Sequence, residues 1–144
     1  MKSILVLNGP NLNLLGTREP EIYGSTTLAD IEALCISHGQ SVGVSVECRQ
    51  SNHEGTLIDW IQNSVGAHAG IVLNPGGYAH TSIALMDAIL GTDVLVIEVH
   101  VSDIYKREPF RHRSYTSKAA RQVICGRGAQ GYIDAINALL TLTD

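Results

Sequence analysis

Five short apolar runs, each ending in a polar or glycine-rich break, constrain this chain more than any other feature. Ile4 to Leu7 is continuously apolar and breaks at Asn8-Gly9-Pro10. Val42, Val44, Val46 and Cys48 alternate with small or polar residues; Gly70 to Leu73 and Val94 to Val99 are again continuous, and Gln122 to Cys125 is the last run. Runs of this length read as strands, and the continuous ones as strands buried on both faces. Helical spacing fills most of the gaps. Leu28, Ile31, Leu34 and Cys35 follow Thr27-x-x-Asp30, which resembles a capping box, with Gly39 as the expected stop. Leu57, Ile58, Ile61 and Val65 predict a second helix stopping near Gly66. Thr81 or Ser82 caps a third that carries Ile83, Leu85, Met86 and Ile89 and closes at Gly91, and Tyr132 to Leu142 forms the last.

Strands alternating with helices predict an α/β fold, a three-layer αβα sandwich around a parallel sheet. Five strands in 144 residues fit one domain, 1–144, with the flavodoxin-like strand order 2-1-3-4-5. In such sheets ligands bind beyond the carboxyl ends of the strands, where the strand order reverses, here between the first and third. Polar residues gather after the corresponding strands: Asn8, Asn11, Arg18 and Tyr23 after the first, Asn74 and His80 after the third, and His100, Ser102, Arg107, Arg111 and Arg113 after the fourth.

The connection from Asn8 to Gly24 is unusually long and fits neither a helical nor a strand period. Leu12, Leu14, Leu15 and Ile22 give it apolar anchors that a solvated linker lacks, so it reads as a loop that orders over a ligand. Six of the ten Lys and Arg residues fall between Lys106 and Arg121, with Glu108 the only acid among them. That segment attracts a small anion, unless it is simply a solvated basic face. The net charge of −4 speaks against nucleic acid or an anionic membrane as partner. The apolar run at the N-terminus is shorter than a secretory core, and no stretch approaches a membrane span, so a cytoplasmic location is expected.

Cys35, Cys48 and Cys125 are widely spaced in apolar sequence and read as buried thiols rather than a disulfide framework or zinc site. His80, His100 and His112 lack metal-ligand spacing, and the neighbouring arginines repel a cation, so no metal is expected. Gly126-Arg-Gly-Ala-Gln-Gly131 matches a dinucleotide fingerprint, yet too little chain follows for the second strand and the ribose-binding acid. Tight turning and close helix packing account for its glycines.

A site with amide donors, a phenol and an imidazole, lacking a phosphate loop or a serine elbow, suits proton transfer with stabilisation of a developing oxyanion. Arg18 favours the phenolate form of Tyr23, which makes that residue a candidate base; packing at a loop end is its other reading. His100 is a candidate proton donor or a satisfied structural histidine.

Leu7-Asn-Gly-Pro-Asn-Leu-Asn-Leu-Leu-Gly-Thr-Arg-Glu-Pro with Tyr23-Gly24, Asn52-His-Glu-Gly55, Asn74-Pro-Gly-Gly-Tyr-Ala-His-Thr-Ser82, Glu98-Val-His-Val-Ser102, Arg107-Glu-Pro-Phe-Arg-His112 and Gly126 to Tyr132 occur in the order and spacing of one family. Together they resemble the type II 3-dehydroquinate dehydratases. The resemblance implies a cofactor-independent lyase that converts 3-dehydroquinate to 3-dehydroshikimate by anti elimination through an enolate, either in aromatic amino-acid biosynthesis or in quinate breakdown. It implies Tyr23 as the base, Arg18 as the group that lowers its pKa, Asn11 at a water or the enolate oxygen, and His100 as the acid oriented by Glu98. It further implies Asn74, His80, Arg111 and the amides of Val101 and Ser102 as substrate ligands, Arg107 as a loop-closing residue, and a dodecamer of trimers in which Asp87 reaches a neighbour's site. Val101 and Asp103 depart from the family pattern, and Asp103 brings a negative charge near a substrate carboxylate. Fold analogy alone offers a flavodoxin-like FMN carrier or a non-catalytic scaffold as alternatives.

Overall fold

Strand β1 (Ser3–Asn8) lies between β2 (Ser45–Gln50) and β3 (Gly70–Asn74), and β4 (Val96–His100) and β5 (Gln122–Cys125) continue the sheet beyond β3. Every neighbouring pair is parallel, and the order β2-β1-β3-β4-β5 is the expected one. The computed structural model of the chain describes residues 1–17, 21 and 24–143. Helices α1 (Leu28–Ser41) and α4 (Gln130–Thr143) cover one face of the sheet; α2 (Glu54–Asn63) and α3 (Ile83–Thr92) cover the other.

The two cores explain the continuous apolar strands. Along β1, Ile4 and Val6 pack with Ile31 and Cys35 of α1 and with Tyr132, Ile136 and Leu139 of α4. Leu5 and Leu7 point the other way, against Leu57 and Ile61 of α2 and Leu85 and Ile89 of α3. Leu57 and Ile61 are fully buried, and truncating either to Ala costs about 2–5 kcal/mol through lost burial and the cavity left behind.

Element ends follow local chemistry. At the start of α1 the Thr27 hydroxyl accepts from Asp30 N–H while the Asp30 carboxylate accepts from Thr27 N–H, so the capping box is complete. Gly39 does not stop that helix, which runs on to Ser41. A Cβ at Gly39 would lie 2.5 Å from Val46 Cγ2 and 2.9 Å from the Val44 carbonyl, so its glycine serves close approach to the sheet. Val42 caps the helix and Gly43 turns the chain, which delays β2 to Ser45. Ser82, of the two expected caps, accepts from Leu85 N–H to start α3. Gly91 lies inside α3, and Asp93 takes the left-handed position that closes it.

Candidate active site

The last residues of three strands define the rim. Asn8 pairs in register with Asn74 across β1 and β3, and His100 ends β4. The segment after β1 crosses close to the turn after β3: Gly9 N–H donates to the Asn74 carbonyl at 2.8 Å, and a Cβ at Gly9 would lie 2.5 Å from the Pro75 carbonyl. Only glycine permits that approach. Between these turns and the segment after β4 lies a cleft of about 200 Å³, sized for one small solute.

Asn11, Asn74, His80 and His100 line this cleft, as do Val101, Ser102, Arg107 and Arg111. Glu98 sits beneath them, and Asp87 is exposed on α3, outside the cleft of its own chain. Arg18 and Tyr23 lie outside the described residues.

On the β4 side, Glu98 is wholly buried and accepts from three donors. His100 Nε2 donates to Oε2 at 2.7 Å, the Ser114 hydroxyl donates to Oε2 at 2.9 Å, and the Thr116 hydroxyl donates to Oε1. Charge-assisted contacts of this kind fix both tautomer and ring orientation. With Nε2 committed to Glu98, Nδ1 is the remaining proton site of His100. The His80 ring stacks near it, centroids 6.3 Å apart and planes inclined by 21°. His80 Nδ1 donates to the Arg113 carbonyl at 2.6 Å, so Nε2 is left as an acceptor. Burial, only partly offset by that backbone contact, lowers the His80 pKa, and the nearby His100 and Arg111 push the same way, so the ring is neutral near pH 7.

The arginines form the outer wall. Arg111 Nε donates to Glu108 Oε1 at 3.0 Å, and Arg107 Nε lies 3.8 Å from the same oxygen, so one exposed carboxylate spaces both guanidinium groups. The Glu108 backbone N–H, together with Arg111, holds that carboxyl below its ordinary range. Arg107 Nη1 also reaches the Ser102 hydroxyl at 3.5 Å. The basic segment divides here. Arg113 donates to the Tyr115 hydroxyl at 3.0 Å, and Lys118 lies 6.0 Å from that ring, so neither joins the expected rim. Asp103 turns away from the cleft: its carboxylate accepts from Tyr105 N–H and caps the 3-10 turn Ile104–Lys106.

The glycine-rich segment has a structural task. Gly126 N–H bonds the carbonyls of His100 and Ser102 at 3.2 Å each, and Gly128 N–H bonds the Val101 carbonyl at 3.1 Å, which holds the turn after β4. Cys35 is buried, Cys48 and Cys125 are half-buried, and all three are free thiols. Burial pushes Cys35 and Cys48 up to about 12.

Sequence reasoning missed several supports of the site. Asn11 takes a left-handed backbone with φ of 68°, and its N–H donates to Asn52 Oδ1 at 3.0 Å. Gln50 Nε2 reaches the same Oδ1 at 3.1 Å and the Gly9 carbonyl at 3.1 Å. The sequence signals for this cluster were its position at the carboxyl end of β2 and the presence of Asn52 in one of the family-like segments, and neither gave it a task. Ser114 and Thr116 had none, because they reach Glu98 from 16 and 18 residues away.

Fold and site together define a flavodoxin-like α/β protein with an arginine-walled cleft and a carboxylate-held imidazole at the reversal of strand order. The family model for dehydroquinase class II matches residues 2–140, and the chain belongs to that family. The 3-dehydroquinate dehydratase of Variovorax paradoxus is 61% identical over 145 residues, covering 97% of this chain and 99% of that protein. That of Ruegeria pomeroyi is 60% identical over 139 residues, covering 96% and 93%. Among solved structures, a type II dehydroquinase from Butyrivibrio crossotus superposes with a TM-score of 0.95 at 45% identity, covering 96% of this chain and 97% of that one. The flavin-carrier alternative rested on fold alone, and family membership favours the dehydratase.

Proposed function

We propose that the cleft binds 3-dehydroquinate and removes water from it to give 3-dehydroshikimate, a hydro-lyase reaction of aromatic amino-acid biosynthesis. The observation that carries this reading is the buried Glu98–His100 pair opening into the same cleft as Arg107 and Arg111. One half donates a proton, and the other receives an anion.

Each step is assigned to a named residue. Tyr23, its phenolate favoured by Arg18, takes the proton from C2 and an enolate forms. His100, oriented by Glu98, then protonates the C1 hydroxyl, which departs as water while the conjugated C=C bond forms. Asn11 holds a water or the enolate oxygen. Arg111, with the amides of Val101 and Ser102, holds the carboxylate; Asn74 and the neutral His80 hold hydroxyls, and Arg107 closes the loop. No metal or organic cofactor enters this sequence of steps. Quinate breakdown would use the same reaction.

Assembly and location complete the proposal. Ile83, Asp87 and Leu90 share one face of α3, and the two apolar residues are 51% and 57% exposed. That face suits a trimer contact, grouped further into a dodecamer, in which Asp87 reaches a neighbour's cleft. Three free thiols suit a cytoplasmic setting. Mixing the purified protein with 3-dehydroquinate and following the ultraviolet absorbance of the enone tests the reaction. A rise proportional to protein supports it, and a flat trace refutes it.

A further inference from the structure

Behind the cleft wall, Asn74 belongs to a buried relay of hydrogen bonds whose other members the proposed chemistry does not use. Gly76 N–H donates to Asn74 Oδ1 at 3.1 Å, Asn74 Nδ2 donates to the Tyr132 hydroxyl at 2.9 Å, and that hydroxyl donates to Asn8 Oδ1 at 2.6 Å. Tyr132 is wholly buried on α4, and Asn8 and Asn74 are 0% and 2% exposed.

The polarity of the relay has one solution. A backbone N–H can only donate, so the atom of Asn74 facing Gly76 must be Oδ1. Nδ2 must then face Tyr132, and an amide nitrogen can only donate. The phenol oxygen is thus the acceptor there, and its single proton is left for Asn8. Burial raises the Tyr132 pKa, so that proton is retained at neutral pH. The relay ends at Asn8 Nδ2, which has no hydrogen-bond partner among the described residues. A buried amide nitrogen without a partner costs stability, and the order of donors upstream is what the arrangement secures in exchange.

An asparagine amide is nearly symmetric in shape, so nothing in its packing distinguishes its oxygen from its nitrogen. Gly76 N–H fixes which end of the Asn74 amide is the oxygen; we infer that Tyr132 and Asn8 are positioning residues that hold the other end, Asn8 taking the phenol proton so that the phenol oxygen accepts from Nδ2 before substrate arrives and leaves the second Nδ2 hydrogen for a substrate hydroxyl. This rests on the reading of Asn74 as a substrate ligand. It assigns a task to α4, a helix otherwise occupied with the core.

Steady-state kinetics of Tyr132→Phe, Asn74→Ala and the double variant test the inference. An interaction made equally with substrate and transition state changes KM and spares kcat. Tyr132→Phe is therefore expected to raise KM roughly tenfold, the worth of about one net hydrogen bond. In the double variant KM should equal that of Asn74→Ala alone, because Tyr132 acts only through Asn74. Multiplying KM effects, or a loss confined to kcat, would mean a merely structural hydroxyl and overturn the inference. Raised KM in Asn74→Ala beside wild-type KM in Tyr132→Phe overturns it while sparing the ligand role of Asn74. Wild-type KM in Asn74→Ala overturns that ligand role and the inference with it. If the melting transition shows Tyr132→Phe to be poorly folded, Asn8→Ala probes the other end of the relay. Its KM should rise severalfold, and a wild-type value overturns the inference.

Discussion

Beyond β4, the cleft is walled by side chains whose partners are already in place: Glu98 has three donors, and His100 is 5% exposed and fixed through Nε2. Beyond β1, Asn11 is exposed and takes a left-handed backbone, and among the described residues it is held only through its main chain, its N–H donating to Asn52 Oδ1 and its carbonyl accepting from Leu14 N–H. A proton donor buried against a carboxylate needs no reorganisation when its proton moves. A polar loop on an open rim can admit the substrate and then close on it. The contrast sets a preorganised half of the site against an exposed one, and it predicts different signatures for damage to each.

The largest effect is expected on the loop side. Tyr23→Phe removes the proposed base, so kcat should fall by about 10²–10⁴-fold while ligand affinity stays within about tenfold. Retention of more than a few per cent of turnover would remove Tyr23 from that role and leave the loop a binding element. Next comes the buried wall. In Glu98→Gln an amide nitrogen must face a hydroxyl or imidazole donor, so kcat should drop by about 10–100-fold, and thermal unfolding should reveal a loss of about 1–3 kcal/mol. Loss of activity without loss of stability would show that Glu98 is less committed to the fold than its partners suggest.

Asn52→Ala should be milder. The Asn11 N–H can turn to water on the exposed rim, so a decrease of about threefold to tenfold in kcat/KM is expected, with little change in melting temperature. The smallest effect concerns pH. Because burial depresses the His80 pKa below 6.5, the unfolded chain takes up a proton that the folded chain refuses as pH falls through that value. Stability tied to His80 is therefore present above its unfolded pKa and lost on acidification, and His80→Asn should melt with a shallower dependence between pH 7 and 5. An unchanged slope would place His80 in solvent rather than in the wall.

The sequence made one kind of structure legible and hid another. Strand order, the Thr27 cap and the rim positions of Asn74, His80, His100, Arg107 and Arg111 follow from periodicity and from the rule that loops after strands carry chemistry, both of which are local. Gly39 and Gly91 misled because glycine marks close approach as readily as termination, and only the fold reveals that Val46 lies against the first. Asn52 reaches Asn11 across 41 residues, and Tyr132 reaches Asn74 across 58 and Asn8 across 124. Contacts of that range leave no periodic trace. The Tyr132 ring fits the apolar face of α4, so its hydroxyl was invisible to pattern reading.

The account stands on a buried imidazole that gives its proton to a departing hydroxyl. Turnover of 3-dehydroquinate by His100→Ala, followed as enone absorbance beside the unaltered protein at equal folded concentration, tests this most directly. The account predicts rapid enone formation by the unaltered protein and a kcat lower by about 10²–10⁴-fold in the variant. A variant that turns over at the rate of the unaltered protein would contradict it and leave Glu98 and its three donors as structure alone.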